Sequence, residues 1–252
     1  MLNFNYYDLL DVMGYLGKLM LENGAETYRV EDSIERVAMA YDVKSADVYA
    51  ASTSITITIH SPDDKILTRV KRIHSRATNL DKIERLNRLC RRTCEMKPSL
   101  DVVRQSLYGI SLRPNYSFWT QVFGYALTTS SFTLFFGGNL ADTICALMIG
   151  AVIKGVSHQL NYLKSNSFFS IIICSSVIPL LTIFFYRLGF AHHIDLIIIG
   201  SIMPLVPGVA LTNSIRDLMA GDFVAGQARM TEAILTATCI AIGIGIVLSI
   251  FI

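Results

Sequence analysis

Charge divides this chain into two halves that cannot share one solvent. Residues 1 to 115 carry 17 Lys/Arg and 15 Asp/Glu, whereas residues 116 to 252 carry five of each. The first half has the composition of a small water-soluble domain, and the second has that of a bundle of membrane helices. With 52% apolar residues and a mean hydropathy of +0.46, the chain is too apolar to be disordered or an ordinary soluble domain. Signs nearly balance within each half, so no basic surface calls for nucleic acid. The expected fold is an α-helical membrane protein with a cytosolic α+β domain over 1–115 and a transmembrane domain of about five helices over 116–252.

Cysteine and histidine usage adds no framework. The five cysteines, Cys90, Cys94, Cys145, Cys174 and Cys239, are odd in number, and three lie in apolar segments, so no disulfide scaffold is implied. Cys90 and Cys94 are one helical turn apart, but no His cluster joins them and the five histidines follow no ligand pattern. Neither a metal nor a cofactor is expected.

The N-terminus carries Asp8, Asp11 and Glu22 and no early Lys or Arg, unlike a secretory signal, which places the first half in the cytosol. Leu9, Val12, Met13, Leu16, Leu19 and Met20 recur at helical spacing, with Asn23 and Gly24 as terminators. A second amphipathic helix carries Val30, Ile34, Val37, Ala38 and Tyr41, with Thr27 as its N-cap. Residues 52–60 alternate strictly, placing Ile55, Ile57 and Ile59 on one face of a half-buried strand. Pro62, Asp63 and Asp64 turn the chain back into a second strand over Ile66 to Ile73, with Arg69, Lys71 and Arg72 guarding the edge. Leu80, Ile83, Leu86 and Leu89 mark a third helix, and Ser99 caps a fourth.

A hydrocarbon layer of about 30 Å needs roughly 20 apolar residues. Five windows fit, at about 117–136, 140–160, 167–189, 194–212 and 230–251. Lys154, Lys164, Arg216 and Arg229 then fall inside and Arg187 outside, which obeys the positive-inside rule and puts Ile252 outside. The fourth window contains Pro204-Leu205-Val206-Pro207-Gly208, where two prolines remove backbone donors. Such a break builds a substrate site near the midplane of many transporters, or it is a packing kink. Beyond it, Asn213, Arg216, Asp217, Asp222, Gln227, Arg229 and Glu232 crowd the inner end of two spans. Arg229 and Glu232, three apart, read as a local ion pair, and Asn213 and Asp217 as facing a cavity. Asp142 caps the second span or gates it, and Lys154 snorkels to the interface in preference to contacting a ligand.

Gly24-Ala25-Glu26-Thr27-Tyr28-Arg29-Val30-Glu31, with Pro204 through Val209, Thr212-Asn213-Ser214-Ile215-Arg216-Asp217 and Gly221-Asp222, resembles the threonine/serine exporter family across essentially the whole chain. The likeness is to the larger subunit of the family's split, two-subunit form. It implies a bacterial inner-membrane secondary exporter of threonine and serine, or of a dicarboxylate such as succinate. A small membrane partner would supply the remaining spans, and assembly into a homo-oligomer is the other route to a complete set. Proton drive is expected, since no phosphate-binding loop is present. Pro204, Pro207, Gly208, Asn213 and Asp217 are then the candidate substrate-binding residues, and Asp142, Arg216, Asp222 and Glu232 the candidate proton-coupling or gating groups. Glu26, Thr27, Arg29 and Glu31 form a cytosolic motif. Two other classes compete: a membrane-anchored enzyme using Glu26, Arg29 and Glu31 as acid, anchor and base, and a sensor or scaffold whose cytosolic domain carries the activity.

Overall fold

The computed structural model describes residues 5–74, 77–114 and 116–251. They form two compact units. The first runs to Pro114 and takes in Val209–Thr231; the second comprises the residues up to Gly208 and those from Glu232 on. Residues 209–231, expected with the membrane segment, thus pack with the charged half. Ile252, expected outside, falls beyond the described residues.

In the first unit α1 (Tyr6–Glu22) is the central helix. Leu9, Met13, Leu16 and Met20 are fully buried, and Asn5 caps its start by accepting a hydrogen bond from the Tyr7 N–H at 3.0 Å. It ends at Asn23, after which Gly24 turns the chain at φ +90°, a conformation that glycine adopts without strain. Helix α2 (Thr27–Ala40) follows, then an antiparallel sheet of three strands, β1 (Ser45–Ala50), β2 (Ser54–His60) and β3 (Ile66–Arg72), in that order. The central β2 buries Ile55, Ile57 and Ile59 completely, as its alternation predicts. Strand β1 carries no comparable signal: Ala46 and Val48 are only partly buried, so alternation there is shallow. Helices α3 (Leu80–Met96) and α4 (Leu100–Ser111) complete the layer. Ser99 stands at the N-cap of α4, but its side chain makes no capping bond, contrary to expectation.

The second unit contains α5 (Phe118–Phe135), α6 (Leu140–Tyr162), α7 (Ser167–Arg187), α8 (Ile194–Ile202) and the greater part of α10 (Phe223–Phe251). Among the described residues three helices, α6, α7 and α10, are long and apolar enough to cross a membrane, rather than the five expected. Helix α5 is diluted by hydroxyl and amide side chains such as Gln121, Thr128 and Thr129. The window 194–212 is not one helix: α8 stops at Ile202, about 13 Å after it starts at helical rise. Around Pro204 and Pro207 the helical ladder gives way to short back-bonds, from the Leu205 N–H to Ile202 O at 2.8 Å and from the Gly208 N–H to Val206 O at 2.8 Å. Helix α9 (Gly208–Ala220) begins directly afterwards.

Small residues let the membrane helices touch. Thr129 Oγ1 donates to Ala146 O at 2.7 Å, joining α5 to α6, and a Cβ at Gly150 would lie 2.8 Å from Tyr125 O and 2.9 Å from Ala126 Cα. Gly155, five residues on, has nothing within 4 Å of the same position. Gly150→Ala should therefore destabilise the unit by about 1 to 3 kcal/mol despite alanine's better helix propensity. Gly155→Ala should leave the melting temperature in nanodiscs unchanged or raise it; equal melting of the two variants would refute this packing.

Candidate functional site

The first unit contains a buried polar junction between the start of α2 and the segment 209–231. Glu26 is the N-cap of α2 in backbone conformation but offers no side-chain bond, and Thr27 is the first helical residue rather than the cap. The capping carboxylate comes from Asp217 of α9. Its Oδ1 accepts the Thr27 N–H at 3.2 Å, and its Oδ2 accepts the Thr27 hydroxyl at 3.2 Å. A carboxylate at a helix N-terminus satisfies an orphan donor and meets the positive end of the helix dipole.

Arg229, in the first turns of α10, completes the junction. Its Nη1 lies 3.3 Å from Asp217 Oδ2, and its Nη2 donates to Ala25 O at 2.8 Å. Arg229 is 5% exposed, and Asp217 and Thr27 are fully buried. Arg229 thus pairs with Asp217 and not with Glu232, which lies on the exposed face of α10 in the second unit. The reason is burial: a desolvated guanidinium needs a desolvated counter-charge, and an exposed neighbour three residues away supplies none. Ser214 Oγ donates to Gly226 O at 2.7 Å, closing α9 against α10.

Beside this junction lies a cavity of about 250 Å³ with Glu26, Arg29, Asn213 and Arg216 on its polar side and Leu80, Ile83 and Val209 on its apolar side. Arg216 pairs with Glu26 Oε1, Arg29 Nε lies 3.1 Å from Glu26 Oε2, and Asn213 Nδ2 donates to Gly24 O at 3.1 Å. Both arginines remain about half exposed while Glu26 is buried. The cavity therefore presents two guanidinium groups, one carboxylate and an amide, the donor set that a small zwitterion or a carboxylate requires.

Glu31 and Asp222 lie behind the junction. Glu31 Oε1 accepts the Ala50 N–H at 2.7 Å. Burial pushes the Glu31 carboxyl above its usual range, opposed by that hydrogen bond and reinforced by Asp222, Glu35 and Asp217. Burial also raises Asp222, with Asp217 adding to the shift and Arg229 opposing it. Elsewhere, burial pushes the Cys90 thiol up to about 12, which keeps it a neutral, packed group.

The remaining sequence candidates lie in the second unit. Asp142 forms a capping box with Asn139 and is fully buried. Its Oδ1 accepts the His192 N–H at 2.7 Å, and its Oδ2 lies 2.8 Å from His193 Nδ1. These histidine partners, 50 residues away in sequence, had no local signal. Pro204, Pro207 and Gly208 form the break between α8 and α9.

The family model described as "Putative threonine/serine exporter" matches residues 11–251. The chain belongs to the threonine/serine exporter family. It is 24% identical over 238 residues to a "Probable threonine/serine exporter" of Mycobacterium tuberculosis, covering 94% of this chain and 45% of that protein. It is 22% identical to a "Threonine/serine exporter" of Corynebacterium glutamicum, covering 94% of this chain and 50% of that one. The chain thus spans about half the length of the curated relatives it matches. No solved structure matches it. Within this exporter family the chain is a membrane protein whose motif at Gly24–Glu31 packs with its motif at Thr212–Asp222 inside one unit.

Two measurements check the junction. Asp217→Asn keeps an acceptor for Thr27 but leaves Arg229 buried and unpaired, and should cost about 3 to 5 kcal/mol in denaturant unfolding; Asp217→Asn with Arg229→Met should recover part of that loss. Glu31→Gln should be more stable than the parent at pH 7. Because the folded-state carboxyl lies above its unfolded value, ionisation works against the fold as pH rises. The advantage should therefore vanish as pH falls below about 4.3, the unperturbed glutamate value. A pH-independent difference would show that hydrogen bonding, not charge, governs the site.

Proposed function

We propose that the chain is one component of a proton-coupled secondary exporter of small hydrophilic metabolites, threonine and serine or a dicarboxylate such as succinate. The family match over nearly the whole chain carries this reading. One feature in each unit supports it. In the second unit, the break at Pro204–Gly208 interrupts the helix inside an apolar segment, as in transporters with interrupted helices. In the first, the cavity beside Asn213 and Arg216 offers a guanidinium pair for a carboxylate and Glu26 for an ammonium.

We assign the selection of substrate to Asn213, Arg216, Arg29 and Glu26, and give Asp217 the role of positioning them from below. To Glu31 and Asp222, whose carboxyls burial raises above their usual range, we assign the exchange of a proton. By likeness to the family's split form, we also propose a second small membrane subunit that supplies further spans. We place the chain in the bacterial inner membrane with its charged half on the cytosolic side, following the distribution of Lys and Arg.

Counterflow of labelled threonine, serine and succinate in vesicles, with and without the second subunit, tests the reading. Arg216→Gln should raise KM for all transported carboxylates roughly tenfold, the effect of about 1.4 kcal/mol, while the amount of folded protein stays constant. Exchange of none of the three substrates by the two-subunit assembly would dismiss the exporter reading.

A further inference from the structure

Lys154 is an ionisable group in a membrane helix that the reading above leaves without a role. It lies in α6 about 21 Å from Leu140 at helical rise, after the apolar run that ends at Ile153 and one turn before His158. Its side chain is partly buried, and Nζ sits 5.2 Å from the centroid of the Tyr125 ring of α5. Nearby, the His158 ring packs at a tilt of 47° against Phe118, with ring centroids 4.7 Å apart.

Asp142 is engaged by His193, and Asp217 by Arg229. Among the described residues no carboxylate forms an ion pair with Lys154. The tyrosine face offsets only part of the cost of holding a cation among apolar helices. The head group lies against the Tyr125 ring of α5, on the pair of helices that Gly150 brings together.

We infer that Lys154, backed by Tyr125, is an oxyanion-binding residue of the membrane unit, and that its ligand is the carboxylate of the small metabolite that passes through it. The identity of that ligand rests on the exporter reading; the occupancy of Lys154 does not. An acidic lipid head group offers similar chemistry, so the two sources must be separated.

The full chain in phosphatidylcholine nanodiscs, with lysines reductively methylated with a 13C label, gives a Lys154 resonance identified by its loss in Lys154→Gln. Threonine or succinate should shift that resonance saturably, and threoninol, which lacks the carboxylate, should not. Replacing about a third of the lipid by phosphatidylglycerol should leave it in place. A shift with the acidic lipid alone, or none with either carboxylate, overturns the inference. In parallel counterflow, Lys154→Gln should raise KM for carboxylate substrates about tenfold or more, and Lys154→Arg should restore most of it. Unchanged KM in Lys154→Gln sinks the inference and leaves the exporter reading standing. A carboxylate-dependent shift in a wild-type protein that exchanges nothing does the reverse.

Discussion

The carboxylate of Asp217 does three things at once: it ends the unsatisfied N-terminus of α2, accepts the Thr27 hydroxyl and neutralises Arg229, all with no water access. Each of these groups would be costly to bury alone, because a desolvated charge or donor without a partner loses its hydration and gains nothing in return. Together they are mutually satisfied. The arrangement also explains why 209–231 packs with the charged half: its polar side chains find partners on the Gly24–Thr27 turn that hydrocarbon could not supply. The cavity lined by Glu26, Arg29, Asn213 and Arg216 shares the Gly24–Glu26 turn and helix α9 with this junction.

The second unit is organised by a different constraint. Apolar side chains gain nothing by leaving lipid for one another, so close approach through small residues and hydroxyl groups holds the helices together. Gly150 against Tyr125 and Ala126, the Thr129 bond to Ala146, and the Ser176 Oγ bond to Gly243 O at 3.0 Å between α7 and α10 serve this purpose. The same unit contains the two features that lipid tolerates least, the proline break after α8 and the ammonium of Lys154. Both are costly in a structural bundle and useful in a conduit for polar solutes.

Much of the fold was legible because its signals are local. Alternation of Ile55, Ile57 and Ile59 specified the central strand, and the helical recurrence of Leu9 through Met20 specified α1. Pro204 and Pro207 specified the interruption, although the apolar window around them disguised how short α8 is. Strand β1 escaped because Ala46 and Val48 bury little surface. Thr27 was mistaken for a cap for a related reason: a threonine before a helix is the usual cap, and only the fold shows that an aspartate 190 residues away does the capping.

The sequence by itself determined the division into a charged half and an apolar half, the family, and which charged residues each half carries, since these depend on composition, spacing and short motifs. Only the tertiary structure decided which of those residues meet. Arg229 chose Asp217 over the nearer Glu232 because the partner of a buried charge is set by which groups lose water together, and Asp142 met His193 because the fold brings the start of α8 beside the start of α6. Distance along the chain carries no record of that.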